Sequence, residues 1–177
     1  SHYLPDWRPG QDYRKGYTAD PQNGGVLFDI IHEFDLANYL LGPAYPVAAA
    51  SRTTGAIEIR SEDCADVILR HASGTQSSIH LDYVTRPTRR WAEIGGRKGI
   101  LKIDLVKRRL VLVNCSELTV KQLDFNSTNS DDDYLAEMKA FIRSVEHGVA
   151  PVCDGYAALQ ILEQVISVRQ KCGLPAA

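Results

Sequence analysis

Gly24-Gly25-Val26-Leu27-Phe28-Asp29-Ile30-Ile31-His32-Glu33-Phe34-Asp35-Leu36-Ala37-Asn38-Tyr39-Leu40-Leu41-Gly42 reads as one helix. A glycine pair lets the backbone turn sharply into it, and Gly42 closes it, with Pro43 just beyond to stop continuation. At about 100° per residue, Val26, Leu27, Ile30, Ile31, Phe34, Ala37 and Leu41 share one broad face, as in a helix laid on a core. On the opposite arc Asp29, His32 and Asp35 recur every third residue, with Phe28, Leu36, Tyr39 and Leu40 between them. A solvated face does not normally carry four large apolar residues. The helix is therefore expected to be covered on both sides, with Asp29 and His32 projecting into a semi-enclosed, partly polar space. A carboxylate beside an imidazole holds the ring in one tautomer and raises its basicity, which suits proton transfer. The same spacing equally suits a hydrogen-bonded core histidine with Asp29 as a partner or cap.

After Pro43 the hydrophobic period changes from about 3.6 to about 2. Residues 47–53, 55–60, 66–71, 75–84, 90–94, 99–105, 109–113 and 118–125 read as strands, with Ser73-Gly74 and Arg86-Pro87 as turns between them. Short connections between successive strands imply antiparallel pairing. Gly95-Gly96-Arg97-Lys98-Gly99 lacks both the dinucleotide and the Walker glycine spacing and runs into strand, so it reads as a hairpin turn. Asn126 to Asp133 is a polar loop whose carboxylates suit the start of a helix. Tyr134 to His147 and Asp154 to Cys172 carry helical periods, closed by Gly148 and by Gly173-Leu174-Pro175. The expected fold is α+β: a broad, mostly antiparallel β-sheet with helices packed on one face and the other face open for oligomerisation.

The 177 residues suit one domain, residues 1–177, and 44% hydrophobic content supplies a core. A net charge of -2 from intermixed acids and bases gives no general attraction to nucleic acid or anionic membrane. Neither a signal peptide nor an apolar run of spanning length is present. Cys64, Cys115, Cys153 and Cys172 show no zinc-finger spacing and read as reduced thiols of a cytoplasmic protein, so no metal site is expected. Residues 1–23, rich in Pro, Gly and aromatics, form an irregular arm anchored by Tyr3, Leu4, Trp7 and Tyr13. Arms of this length often bind ligands. Arg8, Arg14 and Lys15 among its tyrosines suit an anionic or hydroxyl-rich ligand, or simply water. Arg86, Arg89 and Arg90 suit a phosphate or carboxylate, or a basic strand end facing solvent.

The Gly24 to Asp35 run followed by Leu40-Leu41-Gly42 resembles the start of the C-terminal domain in the Gfo/Idh/MocA family of NAD(P)-dependent oxidoreductases. Tyr3-Leu4-Pro5-Asp6-Trp7-Arg8-Pro9-Gly10-Gln11-Asp12-Tyr13-Arg14 is similar to a branch of that family associated with bacterial surface-sugar pathways. Residues 63–74, the 94–101 turn and the final helices agree, so the likeness covers nearly the whole chain. Many members place their aspartate and histidine four apart; Asp29 and His32 are three apart, as in the branch with a His-Glu pair.

The resemblance implies a glyceraldehyde-3-phosphate-dehydrogenase-like C-terminal domain in a homo-oligomer, and hydride transfer between NAD or NADP and a sugar, nucleotide sugar or cyclic polyol. His32 would be the acid/base and Asp29 its orienter. Trp7, Arg8, Tyr13, Arg14 and Arg89 would hold the substrate. The cofactor-binding Rossmann domain and its glycine fingerprint are absent from these residues, so the chain is expected to be inactive alone. Two other readings stand beside this one: a metal-dependent hydrolase using Asp29, His32 and Glu33 or Asp35, which suffers from having one histidine in the cluster, and a non-catalytic sugar-binding or dimerisation module.

Overall fold

The structure is a computed structural model and describes residues 1–125 and 131–176. The chain divides into two compact units, Ser1–Pro87 with Cys153–Ala177, and Thr88–Val152. The fold is α+β with antiparallel strands, as expected, but the strands form two sheets: one of three strands and one of four.

The first unit begins with an arm that has more local order than its composition suggests. The chain pairs with the end of the sheet through Leu4 N–H to the Tyr83 carbonyl (3.0 Å), then makes a short helix α1 (Leu4–Trp7) and two 3-10 turns, Tyr13–Lys15 and Tyr17–Ala19. Arg86 clamps α1, donating to both Asp6 oxygens (2.8 and 2.6 Å) with its guanidinium 3.9 Å from the Tyr3 ring centroid.

The stretch expected to be one helix is two: α2 (Val26–Asp29) and α3 (His32–Leu41). Ile30, at φ -101° and ψ 32°, leaves the helical region between them. Each part is fixed by a different neighbour. The Val26 and Leu27 N–H groups donate to the Glu62 carbonyl (3.0 Å) and carboxylate (3.3 Å). The far end of α3 is tied down by Asn38, which donates to Gln164 Oε1 (2.9 Å) and accepts from Ala44 N–H (2.9 Å). The offset between the two anchors is taken up at Ile30-Ile31, a β-branched pair with low helix preference. Gly25 is required at the entry: its φ is +91°, and a Cβ there would stand 2.2 Å from the Glu62 carboxyl.

Strands β1 (Ala44–Arg52), β2 (Cys64–His71) and β3 (Gln76–Asp82) form the first sheet in that order, all antiparallel. Its inner face contributes Ala65, Val67, Leu69, Ile79 and Leu81 to a core shared with Val26, Leu27, Ile30 and Phe34. His71 is buried in it, with Nδ1 2.7 Å from the Gly42 carbonyl and Nε2 2.9 Å from Ser77 Oγ. Residues 55–60 do not form the expected strand. The Asp63 carboxylate takes the N–H (2.8 Å) and hydroxyl (2.6 Å) of Thr54, and Arg52 already pairs with Cys64, so the segment is a loop beyond a closed ladder. Its apolar alternation reflects Ile57 plugging the core and Ile59 packing on it.

The second unit is a meander of β4 (Trp91–Gly96), β5 (Gly99–Asp104), β6 (Arg109–Asn114) and β7 (Thr119–Asp124). Its first turn needs Gly99, where a Cβ would lie 2.0 Å from the Val113 carbonyl oxygen. Helix α4 (Asp131–His147) starts with three aspartates, and Arg108 grips Asp133 at 3.1 and 2.6 Å. The first five residues of the expected 126–133 loop lie outside the described residues. The apolar period of α4 is present, but Leu135, Phe141 and Val145 are exposed.

Helix α5 (Gly155–Lys171), capped by the Asp154 carboxylate on Ala157 N–H (2.8 Å), returns to the first unit and packs Ile161, Val165 and Val168 into its core. Arg169 continues that buried side and is itself fully buried. Its guanidinium pairs with Glu62 Oε1 (3.1 Å) and donates to the carbonyls of Gly24 (3.1 Å), Pro21 (3.2 Å), Gln22 (3.2 Å) and Pro175 (3.0 Å). It also lies 4.2 Å from the Phe28 ring centroid.

Removing one partner of a buried ion pair leaves the other uncompensated, so Arg169→Met is expected to destabilise the fold by about 3–5 kcal/mol in urea unfolding. Burial pushes the Glu62 carboxyl pKa up, and without Arg169 it rises further. Folded protein then binds the proton at higher pH than unfolded chain does, so the deficit of the variant should shrink as pH falls through the folded-state value and grow as pH rises.

Candidate active site

Asp29 ends α2, and both its oxygens are occupied. The Tyr17 hydroxyl donates to Oδ1 and the Tyr83 hydroxyl to Oδ2 (2.8 Å). Tyr17 comes from the arm and Tyr83 follows β3, so three segments distant in sequence converge on one carboxylate. Burial, then the charge of Asp29, pushes the Tyr83 phenol far above its usual range. The hydrogen bond to Asp29, then burial, raises that of Tyr17. Both phenols therefore stay protonated and serve as donors.

His32 opens α3, about half exposed at 47%, with Nε2 3.2 Å from Glu33 Oε1. The ring faces neither a sealed interior nor Asp29; its carboxylate partner is its sequence neighbour. A half-exposed imidazole paired at one nitrogen can exchange a proton with a ligand arriving at the surface. His2 packs edge-on to Trp7 (4.3 Å between centroids) and tilted to Tyr83 (5.4 Å). Its pKa is lowered by burial first, with His32 among the further causes and Asp29 opposing. His2 thus borders the Tyr83 ring whose hydroxyl holds Asp29.

The residues expected to bind substrate divide. Trp7, Arg8 and Tyr13 line a small cleft together with Leu4, Gln11 and Tyr17. Arg8 lies 5.9 Å from the Trp7 ring centroid and 6.0 Å from that of Tyr17, so the cleft joins the Asp29 cluster through Tyr17. Arg14 is committed elsewhere, to Asp12 (2.7 Å) and Glu58 (2.8 Å). Arg89 belongs to the second unit. Sequence reasoning missed Tyr17, Tyr83 and His2. Tyr17 had a usable signal, a tyrosine in an arm already marked as ligand-facing, whereas only strand pairing discloses the other two. Asp29, His32, Glu33 and Asp35 do not form a metal-capable group among the described residues.

A family model described as the GFO/IDH/MocA C-terminal domain matches residues 1–102. The chain belongs to that family. It is 29% identical over 170 residues to the myo-inositol 2-dehydrogenase of Thermotoga maritima, covering 83% of this chain and 49% of that protein. It is 31% identical over 176 residues to the inositol 2-dehydrogenase of Rhizobium meliloti, covering 92% and 51%. The chain thus spans about half the length of these curated relatives. Among solved structures, the UDP-N-acetylglucosamine 3-dehydrogenase of Acidithiobacillus ferrooxidans superposes with a TM-score of 0.71 at 22% identity, covering 83% of this chain and 46% of that one. That likeness shows the GFO/IDH/MocA C-terminal fold.

Because Tyr83 is kept protonated, Tyr83→Phe should leave the ultraviolet phenolate titration of the folded chain unchanged up to about pH 11, past the usual tyrosine range.

Proposed function

We propose that this chain is the substrate-binding and oligomerisation half of a nicotinamide-dependent oxidoreductase acting on a sugar, nucleotide sugar or cyclic polyol. The observation that carries this reading is the half-exposed His32 imidazole at the start of α3, in one locality with an Asp29 held by two phenols. In the proposed reaction His32 takes the proton of the reacting hydroxyl, or returns it in the reverse direction, while Glu33 stabilises the imidazolium that forms. Asp29 acts through Tyr17: with both oxygens accepting, it orients the Tyr17 ring that lines the cleft, while the fully buried Tyr83 braces the carboxylate from behind. The arm supplies hydroxyl-binding and stacking surface at Trp7, Arg8 and Tyr13. Inositol 2-dehydrogenase relatives favour a polyhydroxylated ring as substrate, for which an aromatic wall with a nearby guanidinium is suitable.

The described residues do not fit a dinucleotide. Residues 95–99 are the tip of the β4–β5 hairpin, turning at Arg97-Lys98, not a strand-to-helix loop, and the N–H groups opening α2 are taken by Glu62. NAD or NADP is therefore proposed to be held by residues outside this chain, where it would supply the hydride chemistry. The outward face of β1, with Tyr45 and Val47 exposed, is the proposed homo-oligomer surface.

In the intact enzyme, His32→Ala should lower kcat by roughly 10²–10⁴-fold, the usual contribution of general acid/base assistance, with cofactor affinity unchanged; retained turnover would assign His32 a structural role only. Titration calorimetry of residues 1–177 with NAD(H) and NADP(H) should show no binding. Micromolar binding would overturn the division of labour.

A further inference from the structure

The outward face of the first sheet carries a cluster that the proposed reaction does not use. Cys64 and Asp66 are two apart on β2 and so point to the same face. Their antiparallel partners on β3 are Asp82 and His80, respectively. One sulfur, one carboxylate and one imidazole donor, from Cys64, Asp66 and His80, lie within 4.8 Å of one another. We propose that these three residues bind a zinc-class divalent cation, with Asp82 orienting the histidine.

Geometry and donor chemistry support this independently. A tetrahedral zinc with sulfur at 2.3 Å and nitrogen or oxygen near 2.0–2.2 Å places its donors roughly 3.3–3.7 Å apart. His80 Nδ1 and Asp66 Oδ1, 2.7 Å apart, would open to that spacing, with the Cys64 sulfur within 4.8 Å of both. In the single chain the Asp66 and His80 side chains are 66% and 54% exposed. The mixed sulfur, nitrogen and oxygen set suits zinc and not calcium or magnesium, which take oxygen ligands. His80 stands between two carboxylates, with Nδ1 2.7 Å from Asp66 Oδ1 and Nε2 3.1 Å from Asp82 Oδ2. The doubly protonated imidazolium donates to both carboxylates, whereas the neutral ring has a single N–H. A cation on the Nδ1 side would take the place of the second proton: Nε2–H keeps Asp82, and the Nδ1 lone pair and Asp66 turn to the ion.

Asp82 is built for the orienting role. Its side chain is 3% exposed and accepts from Val84 N–H (2.9 Å), Thr85 N–H (2.7 Å) and the Thr85 hydroxyl (2.9 Å). Such carboxylate–histidine–metal relays fix the ring tautomer and raise its basicity as a ligand. Cys64 is buried, which pushes its thiol pKa up, while its cross-strand neighbour Arg52 opposes that shift. A bound cation would deprotonate the thiol outright. Arg52 places a positive charge beside the cation, so binding is expected to be weaker than at a closed four-ligand site.

The test is titration with cobalt(II) chloride, followed by zinc chloride competition, in a chain carrying Cys115→Ser and Cys153→Ser to remove the two exposed thiols. One equivalent of cobalt should give a thiolate-to-metal charge-transfer band that zinc abolishes. Cys64→Ser should eliminate the band. Asp66→Asn and His80→Gln, both at exposed positions that should not disturb folding, should weaken binding at least tenfold, and Asp82→Asn by about 10–100-fold. No band with folded protein, a band that survives Cys64→Ser, or affinity unchanged in the His80 and Asp66 variants would overturn the proposal.

Discussion

One buried guanidinium holds the first unit together. Arg169 lies near the C-terminal end of α5, at 0% side-chain exposure, and pairs with Glu62 at 2%. Desolvating two charges is expensive, and a single contact would not offset it. Here the remaining donors of Arg169 go to four backbone carbonyls of the 21–24 turn and the C-terminal tail, so nearly every polar hydrogen has a destination. Glu62 completes the arrangement by accepting from the start of α2. Its second oxygen is buried without a hydrogen-bond partner, and desolvation accordingly raises its pKa. The carboxyl also fills the space that a Cβ at position 25 would take, which is why a glycine immediately precedes α2.

That anchoring sets where the candidate chemistry sits. With the entry to α2 fixed, Asp29 is delivered to the phenols of Tyr17 and Tyr83, and the bend at Ile30 turns His32 outward beside Glu33. Membership in the GFO/IDH/MocA family and the inositol dehydrogenase relatives give this locality a chemical context. The division between an engaged carboxylate and a half-open imidazole comes from packing. Asp29 is surrounded by donors because the arm and the end of β3 close over it, and His32 begins a new helix at the rim.

Much of the architecture was legible in the pattern of residues. Seven strands lie where alternation placed them, Gly95 to Gly99 is a turn, and α5 follows its cap and stop signals. The errors share one cause. Residues 55–60 alternate because Ile57 and Ile59 pack on the core, yet Asp63 captures Thr54 and β1 already pairs with β2, leaving no open edge. The Gly24 to Gly42 run has an unbroken helical period, but anchors at its two ends belong to different elements and the chain bends between them. The apolar period of α4 is real, although its Leu135, Phe141 and Val145 remain exposed.

By itself the sequence determined the antiparallel α+β grammar, the helix limits set by glycine and proline, and the two residues, Asp29 and His32, on which the site is proposed. These follow from local preference and periodicity, which neighbouring residues carry. Only the tertiary structure decided what those side chains touch. Tyr17, Tyr83 and His2 reach the site through pairings across the arm and the sheet, and Cys64, Asp66, His80 and Asp82 become one cluster only when β2 and β3 fall into register. Contacts between residues far apart in the chain depend on that register and on where buried charges find partners, neither of which any single stretch encodes.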